Sequence, residues 1–87
     1  MHELSLLADL MRKVEAVAAR EGARRVRAVT VRLGALAHIS AAHLAEHFAR
    51  AALGGVAAGA RLEVETVTDP ADPRAQDIVL VSVEVEA

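Results

Sequence analysis

The sequence predicts an α+β domain: two helices packed on one face of a small three-stranded, largely antiparallel sheet, in the order α-β-α-β-β. Three observations carry this reading. Two stretches repeat apolar residues every three or four positions, three stretches alternate them every two, and glycine or proline stands at most junctions. The 87 residues read as a single domain, 1–87, because soluble domains typically need about 50 to 200. Phe48 is the sole aromatic residue, so the core must be filled by Leu, Val, Ile and the many alanines.

From Leu4 to about Glu21, Leu7, Leu10, Met11, Val14, Val17 and Ala18 recur at helical spacing. Asp9, Arg12, Lys13, Glu15 and Arg20 fall mostly on the opposite side. Ser5 is a candidate cap, and Gly22 ends the helix because a residue without Cβ takes the left-handed conformation cheaply. Arg25 to Leu33 switches to a period of two, with Val29, Val31 and Leu33 on one face and Ala28, Thr30 and Arg32 on the other. Gly34 breaks the strand. Ala35 to Ile39 form a loop containing His38, and Ser40 is suited to cap a second helix from Ala41 to about Leu53. Leu44, Phe48, Ala51 and Ala52 form its inward stripe, and Gly54 and Gly55 stop it.

Arg61 to Thr68 alternates again, with Leu62 and Val64 facing the core and Glu63 and Glu65 facing water. The segment from Thr68 to Gln76 (68–76) is a polar loop with two Asp-Pro turn signals, and it tolerates insertion or deletion. Asp77 to Glu86 is a long strand that places Val79, Val81, Val83 and Val85 on one face. Being apolar on both sides at its start, it suits a central position or pairing with another subunit. The last two strands lie close enough in sequence to form an antiparallel hairpin.

Composition excludes several functions. A net charge of −2 gives no electrostatic case for nucleic acid, and no aromatic platform is present for stacking bases. Arg20, Arg24, Arg25 and Arg27 read as a helix end and the solvated flank of a strand. Charged residues interrupt the N-terminal apolar run, so neither a signal peptide nor a membrane span is expected. The absence of cysteine rules out disulfides and thiolate metal sites within these residues and fits a cytoplasmic location.

Metal chemistry is concentrated at the start. In Met1-His2-Glu3 a terminal amine lies one residue from an imidazole. The amine, the His2 amide nitrogen and Nδ1 can close adjacent chelate rings, with Glu3 supplying a carboxylate or a further amide nitrogen. This nitrogen-rich, nearly planar donor set suits Ni(II) or Cu(II). The bulk of His2 hinders removal of the initiator, so Met1 is expected to keep its amine in place. His38 reads as a surface histidine or as an outer ligand folding back toward the N-terminus. His43 and His47, with Glu46, spell His-x-x-Glu-His, the order of inverted zincin proteases. A chain this small lacks room for their cleft and substrate groove, and a chance match on a surface helix explains the pattern. If the last two strands paired, Glu63, Glu65, Glu84 and Glu86 would form an acidic ladder, which reads as a solvated sheet face. No phosphate loop or nucleophile arrangement is present, and an enzyme is not expected.

The chain as a whole resembles a known family. Met1-His2-Glu3-Leu4-Ser5-Leu6 opens as do the HypA/HybF nickel chaperones of hydrogenase maturation, and Val31-Arg32-Leu33-Gly34-Ala35-Leu36 is similar to their "R-I-G-E-L" stretch. The likeness continues through Leu44, Phe48, Gly54-Gly55-Val56 and Gly59-Ala60-Arg61-Leu62-Glu63-Val64. It ends with Leu80-Val81-Ser82-Val83-Glu84-Val85-Glu86, which looks like the closing "I-x-S-I-E-V-E". The resemblance implies transient Ni(II) binding by the Met1 amine and His2 with Glu3 adjacent, and delivery rather than catalysis. It implies a maturation GTPase as partner and the large subunit of a nickel–iron hydrogenase, or urease, as client.

The sequence also departs from the pattern. Family members insert a second domain between the last two strands, where two pairs of Cys-x-x-Cys hold a structural zinc. Here residues 68–76 occupy that place, so no structural zinc is expected. An acidic residue that some members carry at the position of Ser40 is missing as well. Two readings follow: a chaperone reduced to its nickel module, or a truncated paralogue kept as an interaction module, including a homodimer through an exposed sheet edge.

Overall fold

Five elements follow one another along residues 2–87, which the computed structural model describes, with side chains from Ser5 onward. They are α1 (His2–Arg20), β1 (Arg25–Leu33), α2 (Ala41–Ala51), β2 (Arg61–Thr66) and β3 (Ile78–Glu86). The α+β class, the element order and the two helices packed against a three-stranded sheet are as the sequence predicts.

Helix α1 starts at His2 rather than Leu4 and buries Leu7, Leu10, Val14 and Ala18. It ends where Gly22 adopts φ +63°. There the amide of Ala23 donates to the Ala18 carbonyl at 2.9 Å and that of Gly22 to Ala19 at 3.1 Å. These two bonds satisfy carbonyls that the last helical turn leaves free. Helix α2 is capped as expected: the Ser40 Oγ accepts from the amide of His43 at 3.1 Å. Leu44, Phe48 and Ala52 are buried, whereas Ala51 is exposed and Leu53 lies past the helix in water. Because Ser40 satisfies one otherwise unpaired amide, Ser40→Ala should lower stability by about 1 kcal/mol, read from the urea midpoint.

The sheet order is β2-β1-β3, with β1 parallel to β2 and antiparallel to β3. The sheet is therefore mixed, and the expected hairpin between the last two strands does not form. The reason is α2. Residues 34–60 carry the chain back along β1, so β2 starts level with Ala28 and runs beside it in the same direction. The following loop crosses the end of β1 and delivers β3 to the far edge, so the central strand is β1. Val26, Val29, Val31 and Leu33 are buried on its helix-covered side. The charged strands β2 and β3 take the edges, where charge discourages pairing with another chain.

The face expected for β3 is also corrected. Thr30 pairs with Ser82 but Val31 pairs with Leu80, leaving Val81 as an extra residue. This bulge reverses the alternation. Ile78 and Leu80 join the core before it, Val83 and Val85 join after it, and Val81 is 45% exposed. Arg27 is the matching extra residue on β1, between Val26 and Ala28. The helices share the other side of the core: α1 lies over β3 and β1, and α2 lies against α1 and reaches β2.

Candidate metal centre

One end of the sheet gathers the first turn of α1, the loop that carries His38 and the start of α2. Leu33, the last residue of β1, pairs with Thr66 at the end of β2 and with Ile78 at the start of β3. The opposite end holds the turn after α1, pinned by the amide of Arg24 donating to the Glu86 carbonyl at 2.9 Å. Nineteen helical residues span about 28 Å and nine strand residues about 30 Å. The first turn of α1 therefore returns to the end where β1 finishes. Loop 34–40, with His38, and the start of α2 lie at that end too, as does loop 67–77.

The Met1 amine and the side chains of His2 and Glu3, the expected ligands, lie outside the described residues. Only the backbone of His2 and Glu3, in the first turn of α1, is described. His38 is exposed and holds φ +61°, a left-handed conformation that turns the chain into the cap of α2. Beside it, Gly34, Ile39, Ser40, Thr66 and Thr68 border an open depression of about 370 Å³. Among the described residues, no group of three or more His, Asp or Glu side chains is placed to hold a metal ion.

The acidic ladder does not exist as such, because β1 separates the two acidic strands. Their carboxylates meet arginines instead: Arg61 with Glu63 at 2.9 Å, Arg32 with Glu65 at 3.4 Å, Arg25 with Glu86 at 3.7 Å and Arg27 with Glu84 at 3.9 Å. These pairs are exposed and worth about 0 to 1 kcal/mol each, so the face is solvated and charge-balanced rather than cation-binding. Asp9 is held below the usual carboxylate range by its hydrogen bond from Lys13, with Arg12 adding to the effect. That is the ordinary consequence of neighbours three and four residues along a helix surface.

Loop 67–77 is more ordered than its composition indicates. Asp69 Oδ1 accepts from the Ala71 amide at 2.9 Å and Asp72 Oδ1 from Arg74 at 2.7 Å. The amide of Gly34 donates to the Asp77 carbonyl at 3.0 Å and that of Leu36 to Ala75 at 2.7 Å. Ala75 is buried over Gly34, which a sequence reading treats only as a strand breaker. A Cβ on Gly34 would stand 2.2 Å from the Ala75 carbonyl oxygen, so the glycine is there for close approach.

The sequence pattern of the family described as "Hydrogenase/urease nickel incorporation, metallochaperone, hypA" matches residues 1–72. The chain belongs to the HypA family. A hydrogenase maturation factor HypA of Rhodopseudomonas palustris (strain BisB5) is 38% identical over 71 residues, covering 82% of this chain and 63% of the relative. The HypA of Chloroflexus aurantiacus (strain J-10-fl) is 43% identical over 67 residues, covering 77% of this chain and 59% of its own length. This chain thus spans about three-fifths of the length of these relatives. The solution structure of the Ni metallochaperone HypA from Helicobacter pylori superposes with a TM-score of 0.80 at 17% identity, covering 100% of this chain and 99% of that one. A second HypA solution structure gives 0.74 at 17% identity, covering 98% and 96%. At that identity the likeness is one of fold. No helix among the described residues is long and apolar enough to cross a membrane.

Proposed function

We propose that this chain is a nickel-carrying module that binds Ni(II) at its N-terminus and releases it to a maturing enzyme, a nickel–iron hydrogenase or urease. The observation that carries the reading is the family match beginning at residue 1, which includes Met1-His2-Glu3. Nickel is cargo here rather than a resident cofactor. The start of α1 at His2 supports the chemistry. The first amides of a helix have no intrahelical acceptor, so those of His2 and Glu3 are free to lose a proton and bind the ion. With the Met1 amine and the His2 imidazole they complete a tetragonal donor set. His38, in a loop at the same end of the sheet, is the candidate secondary ligand.

A chelate built on a terminal amine and the residue beside it suits exchange better than storage. Residues 1–87 act as one nickel module in this reading, with loop 68–76 standing where the family carries its zinc domain. They hold no cysteine for such a zinc. The reading includes a cytoplasmic location and transfer, rather than catalysis, alongside a maturation GTPase and the hydrogenase large subunit.

The test is a Ni(II) titration of protein with a native, untagged N-terminus against His2→Ala. Heat and the d–d absorption of amide-bound Ni(II) are followed together. His2→Ala should weaken binding by about 100-fold or more and abolish the absorption band. A peptide extension ahead of Met1 should do the same. Native binding should also fade as pH falls, because amine, amide and imidazole must shed protons to coordinate. Equal binding and equal spectra for native and His2→Ala protein would overturn the proposal and favour the interaction module.

A further inference from the structure

A second donor pair stands on α2, independent of the N-terminal chelate. His43 and His47 are one helical turn apart and share a face of the helix. Their ring centroids lie 5.4 Å apart and the ring planes cross at 71°. With metal–nitrogen bonds of about 2.0 to 2.1 Å, two imidazoles sharing one ion at about 90 to 120° have centroids about 4.5 to 5.5 Å apart. The rings are therefore already spaced as a pair that could share an ion.

The backbone beneath them is held firmly. Ser40 Oγ caps the helix at the amide of His43, and Leu44 and Phe48, next to the two histidines in sequence, are buried in the core. His43 is exposed and His47 half-buried, so the outer side of the pair is open to solvent. Glu46 pairs with Arg50 at 3.5 Å and supplies no third ligand. Among the described residues, neither ring takes part in a hydrogen bond or an ion pair.

We propose that His43 and His47 form a two-histidine clamp for a divalent first-row ion that favours imidazole, namely Ni(II), Cu(II) or Zn(II). Water fills the remaining positions. Two protein ligands make the site weak and fast-exchanging, and it occupies the first two turns of α2, at the end of the sheet from which α1 starts.

The experiment removes the other site first. His2→Ala protein is titrated with Ni(II), and separately with Zn(II), by calorimetry, while the histidine ring signals are followed by NMR. One equivalent should bind, with the His43 and His47 signals changing together and the His38 signal unmoved. Adding His43→Ala or His47→Gln should each weaken this binding by at least about tenfold. Ni(II) should raise the Tm of His2→Ala protein but not of His2→Ala/His47→Gln, because an ion bridging one turn binds the folded helix alone. Circular dichroism without metal confirms that the variants are folded. Ring signals that stay unmoved, or that move at one histidine only, would mean an edge-to-face contact and nothing more. Retention of binding by His2→Ala/His47→Gln would likewise overturn the clamp. Failure of the N-terminal chelate leaves these outcomes unchanged, because they are read in a background that lacks it.

Discussion

Phe48→Ala should cost about 3 to 5 kcal/mol of folding stability, the usual loss for a fully buried phenylalanine. Phe48 is 1% exposed and is the largest fully buried side chain among the described residues. It lies on the inner face of α2, in the same cluster as Leu10 and Val14 of α1 and Val29 and Val31 of β1. The remaining core consists of aliphatic side chains and alanines, and no second Phe, Tyr or Trp is present to expand into the gap. At roughly 0.05 to 0.15 kcal/mol per residue, an 87-residue domain has about 4 to 13 kcal/mol to lose. The loss is therefore a large fraction of the total, and the urea midpoint of the variant should fall markedly. Urea unfolding followed by circular dichroism measures it, with the slope compared to confirm two-state behaviour. Phe48→Leu should lose much less, because most of the volume is kept. A loss below about 1.5 kcal/mol for the alanine variant would show that α2 is not held through this side chain.

Gly34→Ala is expected to be the next most damaging change, at about 2 to 4 kcal/mol. The added methyl would meet the Ala75 carbonyl oxygen at 2.2 Å, its carbon at 2.5 Å and the Arg74 oxygen at 2.7 Å. All three are backbone atoms and cannot swing aside as a flexible side chain would. Relief requires loop 67–77 to lift, which puts at risk the hydrogen bonds from Gly34 to Asp77 and from Leu36 to Ala75. Amide exchange should then quicken at Gly34 and Leu36 while the centre of β1 stays protected, a local opening rather than global loosening. Truncating an exposed side chain elsewhere, Arg61→Ala, is the control and should change stability by less than about 1 kcal/mol. A wild-type exchange rate at Leu36 in the Gly34→Ala protein would refute the clash.

The elements themselves were legible because each is written locally. The inward stripe of α1, the Ser40 cap and the Gly22 stop depend on residues within a turn or two of one another. Sheet order was not, because it depends on where α2 takes the chain. A helix of about three turns between two short strands is the usual signature of a parallel crossover, and Ala41–Ala51 supplied it. The nearness of β2 and β3 in sequence pointed instead to a hairpin. The bulge at Val81 left no local trace, since Ile78-Val79-Leu80-Val81 is apolar in either phase. In the site, His2 remains a proposal, its side chain lying outside the described residues, while the loop that carries His38 was legible from Gly34 and the Ser40 cap. The fit of Ala75 over Gly34 was not, because an alanine in a polar loop carries no mark of burial.

The parallel pairing of β1 with β2 also decides where any insertion between β2 and β3 must emerge. Both strands that flank loop 67–77 meet that loop at the end of the sheet where α1 begins. Each is already paired to β1 and needs nothing from the other. Extra chain spliced into the loop therefore leaves the sheet intact, and each doubling of loop length adds only about 0.6 kcal/mol of closure entropy. Whatever such an insertion folds into emerges where β1 finishes, beside the loop that carries His38 and leads into α2.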